Sequence, residues 1–324
     1  MKYFKLGNNG PNLSQIGLGT MMMGWRTNRS ESKKILSAAC DLGITFIDTS
    51  VSYSRGFSHE IIGKSLASLK IRDKFTLATK VGGVSDDTDP IHHRGYSKKN
   101  IIRQCELSLR QLKTERIDIL QLHYPTSETS YAEMLEALSL LIYQGKIKNY
   151  GLSNYNKDEL NALCQSAEIN NFQLPISNQF ECNLLNYKKS QSFFEACSFQ
   201  RIGTITWGPL SSGLLSNWYI RSSSIKPDSR IDNSREKNIS KKILHKVFTK
   251  KILLLLGQIS KETGITVQVL AISWLIHRKP NNCILIGPSN LKQLIELSSI
   301  SLNNQSIFYE LDLIVKLELQ KYSI

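Results

Sequence analysis

The sequence predicts one closed α/β barrel of eight parallel strands, each followed by a helix. Short apolar runs alternate with longer amphipathic stretches along the 324 residues. Eight runs and eight stretches are the count of a closed β/α barrel. The length also suits one barrel with insertions, since such barrels take roughly 250 residues.

An opening hairpin pattern comes first: residues 2–6, a Gly7-Asn8-Asn9-Gly10-Pro11-Asn12 turn, then 13–17. Strand-like runs follow at 16–18, 45–48, 75–80, 117–122, 148–152, 176–180, 203–207 and 283–286. Apolar residues at helical spacing mark 31–42, 60–69, 98–112, 131–144, 157–166, 188–196, 249–277 (broken near Thr263–Gly264) and 291–300, with an added helix at 307–319. No internal repeat or inter-domain linker interrupts the pattern, so residues 1–324 read as a single domain. Two connections are long and without pattern, 82–96 and 215–240. Both follow strands, so both belong at the C-terminal mouth, where barrel active sites sit. A doubly wound dinucleotide fold should show G-x-G-x-x-G after its first strand, and Gly17-Leu18-Gly19-Thr20-Met21-Met22 lacks the third glycine.

Apolar content of 41% and charged content of 21% exclude a disordered or fibrous chain. The net charge of +14 suits an anionic ligand, a nucleic acid or an acidic surface, but lysine is spread throughout and reads better as background. The basic stretch 235–251 carries no nucleic-acid module and reads as a solvated loop and helix face. The longest apolar run, 252–256, is too short to span a bilayer and reads as helix core. The opening residues hold no secretory h-region, and the six cysteines form no CxxC pair. Reduced thiols and a cytoplasmic location are therefore expected, with no nucleic-acid or membrane partner.

Four ionisable residues stand at or just after consecutive strand ends. Asp48 ends the second strand, Tyr53 lies five residues on, Lys80 ends the third and His123 ends the fourth. Singly, each reads as a cap, packing or surface charge; in a barrel, their strand ends converge on one mouth. The set matches carbonyl reduction, which needs a proton donor for the oxygen that becomes an alkoxide. An ammonium beside a phenol favours phenolate, so Lys80 should lower the Tyr53 pKa from its ordinary value of about 10. Asp48 would pair with Lys80, and His123 would donate a hydrogen bond to the carbonyl oxygen. The hydride must come from a nicotinamide, because no side chain supplies one.

With these residues in view, the chain resembles the aldo-keto reductase family, in its bacterial and potassium-channel-β-like branch. The resemblance runs through KLGNNGPNLSQIGLGTMMMG, FIDTSVSYSRGFSHEIIG, ATK, RIDILQLHYP, GKIKNYGLSNY, NQFECNLL, TWGPLSSGLL, PDSR and ILIGPSNLKQLIEL. It implies a TIM barrel that binds NADP(H), with NAD(H) as the alternative. It places the family's catalytic tetrad on Asp48, Tyr53, Lys80 and His123. Thr20, Met21 and Asp48 are implied as cofactor contacts, with Ser153, Asn154 and Gln179 on the carboxamide and Trp207 stacked on the ring. Gly208, Pro209, Leu210, Ser211 and Gly213 resemble the pyrophosphate loop, and Arg230 a residue that closes over the cofactor. Gly287, Ser289, Gln293 and Glu296 resemble the adenosine end.

The chain departs from the family pattern at several positions. Gly287 and Gln293 stand where many members have Lys and Arg for a 2′-phosphate, which weakens the choice of NADP(H). Leu297 replaces an Asn beside the adenine, and Ser54 a Gly after the tyrosine. His59 replaces a Glu and Thr126 an Asp, both read as peripheral. His92, His93, Arg94 and Tyr96 are candidates for substrate contact, and no metal site is expected. Met21–Met23 and Trp25 either wall the substrate pocket or pack in the core. The expected substrate is a small aldehyde, ketone or sugar-like molecule. The alternatives are a sugar or alcohol dehydrogenase working oxidatively, and a cofactor-sensing regulatory subunit. In the channel β subunits Asn replaces the strand-4 His, so His123 favours an enzyme.

Overall fold

Strands β1 (Tyr3–Lys5) and β2 (Asn12–Ser14) form an antiparallel hairpin. After it, strands and helices alternate: β3 (Ile16–Gly19), α1 (Arg29–Asp41), β4 (Phe46–Asp48), α2 (Phe57–Leu69), β5 (Thr76–Val81), α3 (Lys98–Leu112), β6 (Ile117–Leu122), α4 (Tyr131–Tyr143), β7 (Ile147–Ser153), α5 (Lys157–Ile169), β8 (Ser177–Glu181), α6 (Tyr187–Phe199) and β9 (Gly203–Trp207). Then come α7 (Asn217–Arg221), α8 (Lys237–Leu244), α9 (Val247–Thr263), α10 (Val267–Arg278), β10 (Asn282–Ile286), α11 (Leu291–Ser298) and α12 (Tyr309–Gln320). The computed structural model describes residues 1–82, 95–234, 237–300 and 305–320. Strands β3 to β10 close a parallel barrel in sequence order, β10 returning to β3 through Ile284–Ile16 and Leu285–Gly17. The chain is thus a TIM barrel with an N-terminal hairpin and added C-terminal helices.

Local chemistry explains the element starts. Asn28, Ser97 and Ser130 cap α1, α3 and α4 by accepting a first-turn N–H. Asn156 and Glu159 form a reciprocal capping box on α5. The strands read as unbroken apolar runs because both faces of a parallel barrel are covered; every residue of β4, β6 and β10 is buried.

Contacts divide the chain into two units. The first comprises Met1–Phe180, Ser192–Trp207 and Asn281–Ile295 and holds the barrel. Its interior is packed by Phe46, Ala78, Ile119, Ile205, Cys283 and Leu285, together with Leu6 and Leu13 of the hairpin. The hairpin meets the strand starts: a Cβ on Gly203, the first residue of β9, would stand 2.7 Å from the Gly7 nitrogen. A Cβ on Gly17 would come within 2.8 Å of both Phe46 and Leu285. Gly17 therefore serves interior packing, not a phosphate loop. All six cysteines are free, and burial pushes the Cys105, Cys164, Cys182 and Cys197 thiols up to about 12.

The second unit comprises Glu181–Gln191, Gly208–Pro280 and Glu296–Ile324. There the fully buried Trp274 on α10 packs edge-on against Tyr187 and donates to Asp312 of α12 at 2.8 Å. The predicted break at Thr263–Gly264 separates α9 from α10, with Gly264 left-handed at φ 71°. The connection expected to be patternless over 215–240 instead holds α7 and the start of α8. Tyr219 is the residue of α7 that is buried, and one anchoring side chain leaves too little periodicity to see in sequence. The lysines of 237–251 lie exposed on α8, on α9 and at the α9 N-cap, while Arg235 falls outside the described residues. No helix among the described residues is long and apolar enough to cross a membrane.

Truncating Leu6 to Ala should leave a cavity under the barrel and cost about 2–5 kcal/mol. Urea unfolding will show this as a lower midpoint. An unchanged midpoint would contradict the packing of Leu6 into the barrel interior.

Candidate active site

Three neighbouring strands, β4, β5 and β6, bring the four ionisable residues together. Asp48 is the last residue of β4, Lys80 lies one residue from the end of β5, and His123 directly follows β6. Tyr53 opens a tight turn after β4. Lys80 Nζ donates to Asp48 Oδ2 in a short contact, to Tyr53 Oη at 3.2 Å and to the Thr49 carbonyl at 3.3 Å. The ammonium also lies 5.1 Å from the centre of the Tyr53 ring. The Tyr53 and His123 rings meet edge to face, 6.3 Å apart.

Asp48 is held on its other oxygen as well. Gln121 Nε2 donates to Oδ1 at 2.9 Å and Gln179 Nε2 at 2.8 Å, and Gln179 also reaches Gln121 Oε1 at 3.0 Å. Gln121 was not among the sequence candidates. Its signal was there, as the one amide in the mainly apolar strand β6 (IDILQL), two residues before His123.

Burial sets the proton affinities. It pulls the Lys80 ammonium down, but Asp48 and Tyr53 hold it above the ordinary lysine value. Tyr53 departs from expectation. Burial raises its phenol above the ordinary value, and Lys80 opposes this without reversing it. The hydroxyl therefore stays protonated at neutral pH. Burial first and the Lys80 charge second hold His123 well below the ordinary histidine range, so its imidazole is neutral. Ser50 Oγ faces His123 Nδ1 at 3.3 Å.

His59 is not peripheral. It is fully buried, with Nε2 2.9 Å from Thr79 Oγ1 and Nδ1 3.2 Å from Gln111 Oε1. It braces the strand residue that precedes Lys80. Burial, with Lys80 adding to it and Gln111 opposing, lowers its pKa to about 4. Ser54, where the family has Gly, sits left-handed at φ 50°, followed by Arg55 at 54° and Gly56 at 86°. A side chain there costs roughly 1–2 kcal/mol; the bond from Ser54 Oγ to the Met23 carbonyl at 3.2 Å offsets part of it.

The other candidates fall into place by unit. In the first, Thr20 is buried and bonds the Asp48 carbonyl through both N–H and hydroxyl, at 3.1 and 3.0 Å. Met22 and Met23 are core, whereas Met21 and Trp25 are exposed. Asn154, left-handed at φ 66°, donates to the His123 carbonyl and to Ser153 Oγ, both at 3.0 Å, and accepts from Trp207 Nε1 at 3.3 Å. Gln293 Oε1 accepts from the Ser289 N–H at 2.7 Å, and Thr27 Oγ1 donates to the Ser289 carbonyl at 3.1 Å. Gly287 has open space where a Cβ would be. Glu31 Oε1 accepts the Leu291 N–H at the start of α11, at 2.7 Å.

In the second unit, Gly208 is left-handed at φ 68° and its carbonyl accepts from Asn183 at 3.0 Å. Ser211, Ser212 and Gly213 continue left-handed at 48°, 57° and 103°. Pro209 is buried, and Leu210 and Arg230 are half-buried. Glu296 accepts from Thr266 at 2.8 Å, and Leu297 is buried. Tyr96 does not present itself to a substrate: it is 4% exposed, and its hydroxyl accepts the Tyr124 N–H at 2.8 Å. His92, His93 and Arg94 lie outside the described residues.

A closed β/α barrel with a tyrosine, a lysine, an aspartate and a histidine gathered at its strand ends defines a class of barrel oxidoreductases. The chain belongs to the aldo/keto reductase family, whose profile matches residues 15–307. It is 30% identical over 315 residues to the uncharacterized oxidoreductase YrpG of Bacillus subtilis, covering 94% of this chain and 93% of that one. The aldo-keto reductase YhdN of the same organism is 28% identical, covering 94% and 91%. A probable voltage-gated potassium channel subunit beta of rice (Oryza sativa subsp. japonica) is 28% identical, covering 91% and 90%.

The buried histidines make stability pH-dependent. The folded His59 pKa of about 4 lies below its unfolded value of 6.5, so its contribution is complete above pH 6.5 and is lost as pH falls toward 4. A shift of that size corresponds to about 3 kcal/mol. His59→Gln should flatten the fall of the urea midpoint between pH 6.5 and 4; a slope equal to that of the parent chain would contradict a neutral buried His59.

Proposed function

We propose that the protein reduces a small aldehyde, ketone or sugar-like carbonyl with a nicotinamide dinucleotide, Tyr53 giving the proton. The observation that carries this reading is the Asp48–Lys80–Tyr53 chain of hydrogen bonds beside a neutral His123.

The residues present fit a nicotinamide carboxamide. Gln179 spends its amide hydrogens on Asp48 and Gln121, which leaves Oε1 as an acceptor. Ser153 Oγ accepts from Asn154 and keeps its own proton to donate. One acceptor and one donor match the NH2 and C=O of a primary amide. Trp207, packed on the barrel core, offers a fixed aromatic face for the ring. When bound, the cofactor supplies the hydride that no side chain can.

The protein's own groups handle the proton and the charge. Neutral His123 donates a hydrogen bond to the carbonyl oxygen and orients it. The Tyr53 hydroxyl gives its proton as the alkoxide forms, and Lys80 stabilises the phenolate left behind. Asp48 keeps Lys80 charged and in place. A phenol raised by burial holds, at neutral pH, the proton that carbonyl reduction consumes.

At the adenosine end, Gly287, Ser289 and Gln293 bring no cation, and Glu31 brings a carboxylate to the start of α11. NADP(H) gains no ion pair from these residues, so NAD(H) stays a competent alternative.

Purified protein tested on a carbonyl panel with NADPH and NADH should oxidise one of them. Tyr53→Phe should lower kcat by at least about a thousandfold, since both the proton transfer and the stabilised oxyanion are lost. Cofactor binding, followed by quenching of tryptophan fluorescence, should stay within about threefold. Undiminished turnover by Tyr53→Phe would sink the assignment of the acid.

A further inference from the structure

We propose that Ser50, supported by Ser52, fixes the tautomer of His123, so that the imidazole presents Nε2–H to the substrate oxygen. The proposal rests on the reading of His123 as the carbonyl's hydrogen-bond donor. Ser50 is then a positioning residue that acts through His123.

A neutral imidazole has one N–H and one lone pair, and the partner of one nitrogen decides the state of the other. A carbonyl oxygen only accepts. If the proton sits on Nδ1, Nε2 meets the substrate with a lone pair and the two repel. Nε2 has no hydrogen-bond partner among the described residues, so the choice lies with what faces Nδ1. That is the Ser50 hydroxyl, at 3.3 Å.

Ser50 Oγ has one proton to give and two lone pairs to fill. The Ser52 backbone N–H points at one of them, at 3.3 Å, and can only donate. Ser52 Oγ stands 2.9 Å away, and either hydroxyl can be the donor between them. When Ser52 donates, both Ser50 lone pairs are filled and its proton is left for Nδ1. His123 is then the Nε2–H tautomer, and all four groups are satisfied. The reverse order leaves the Ser52 proton without a partner among the described residues. Both serines come from one short segment, Asp48-Thr49-Ser50-Val51-Ser52-Tyr53, whose turn also places the acid.

The ring has little freedom to escape this contact. Tyr124 stacks on it at 4.5 Å with the planes 5° apart. The His123 N–H donates to the Val81 carbonyl at 3.0 Å, and its carbonyl accepts from Asn154 at 3.0 Å. What remains to be set is the proton's position.

The test is 15N NMR of the full chain with ring-labelled histidine, the His123 signals being assigned by their loss in His123→Gln. The parent chain should show His123 as the Nε2–H tautomer at pH 7, and Ser50→Ala should move its two nitrogens toward a tautomer mixture. kcat should fall about tenfold in Ser50→Ala, the size of one lost hydrogen bond, with cofactor affinity unchanged, and Ser50→Thr should restore both readouts. An Nδ1–H tautomer in the parent chain overturns the proposal even if Ser50→Ala does not fold. So do unmoved nitrogens in a folded Ser50→Ala, or a Ser50→Thr that behaves like Ser50→Ala. The NMR readout needs no turnover: a moved tautomer supports the role of Ser50, and full activity in both Ser50→Ala and His123→Gln would overturn the reading of His123 instead.

Discussion

The buried ion pair of Asp48 and Lys80 is the constraint around which the barrel mouth is organised. Their side chains are 2% and 1% exposed. Taking two such charges out of water costs several kcal/mol each unless every polar atom finds a partner. The barrel provides those partners from four directions. Gln121 on β6 and Gln179 on β8 fill one carboxylate oxygen, and Lys80 on β5 fills the other. The Thr49 carbonyl and the Tyr53 hydroxyl take the remaining ammonium protons. A parallel barrel is suited to this, because the ends of neighbouring strands stand about 5 Å apart and all point one way.

The pair governs its neighbours through charge. On Tyr53 its two charges oppose each other, the ammonium pulling the phenol down and the carboxylate pushing it up, and burial decides the outcome. The ammonium alone acts on His123 and His59, and both imidazoles are neutral. Burial thus keeps the proton on Tyr53 against the pull of Lys80, and burial together with Lys80 keeps the two histidines neutral. Chemistry that needs a neutral hydrogen-bond donor beside a phenolic acid follows from that distribution.

Much of this was legible in the sequence. The alternation of runs set the barrel, and a strand end is a place that a short motif such as Thr-Lys or Leu-His marks clearly. What escaped reading escaped for physical reasons. Gln121 lies inside an apolar run, where an amide looks like an exception until its partner on another strand is known. Ser50 and Ser52 look like loop polarity, because a hydroxyl's partner across 73 residues leaves no trace in spacing. His59 looks like a surface change on a helix; only the barrel shows that its face is the one turned to Thr79. Tyr96 follows a long connection and looks exposed, yet its ring fills the space beside Gly82, where a Cβ would stand 2.1 Å from it.

The coupling of Asp48 to Lys80 is the most direct test of this account. Urea unfolding of Asp48→Asn, Lys80→Met and the double variant measures it. Either single change strands a buried charge and should cost about 3–5 kcal/mol. The double variant strands none and should be more stable than either single one, with a coupling well above the few tenths expected of independent sites. Losses that simply add would contradict the claim that this pair holds the site together.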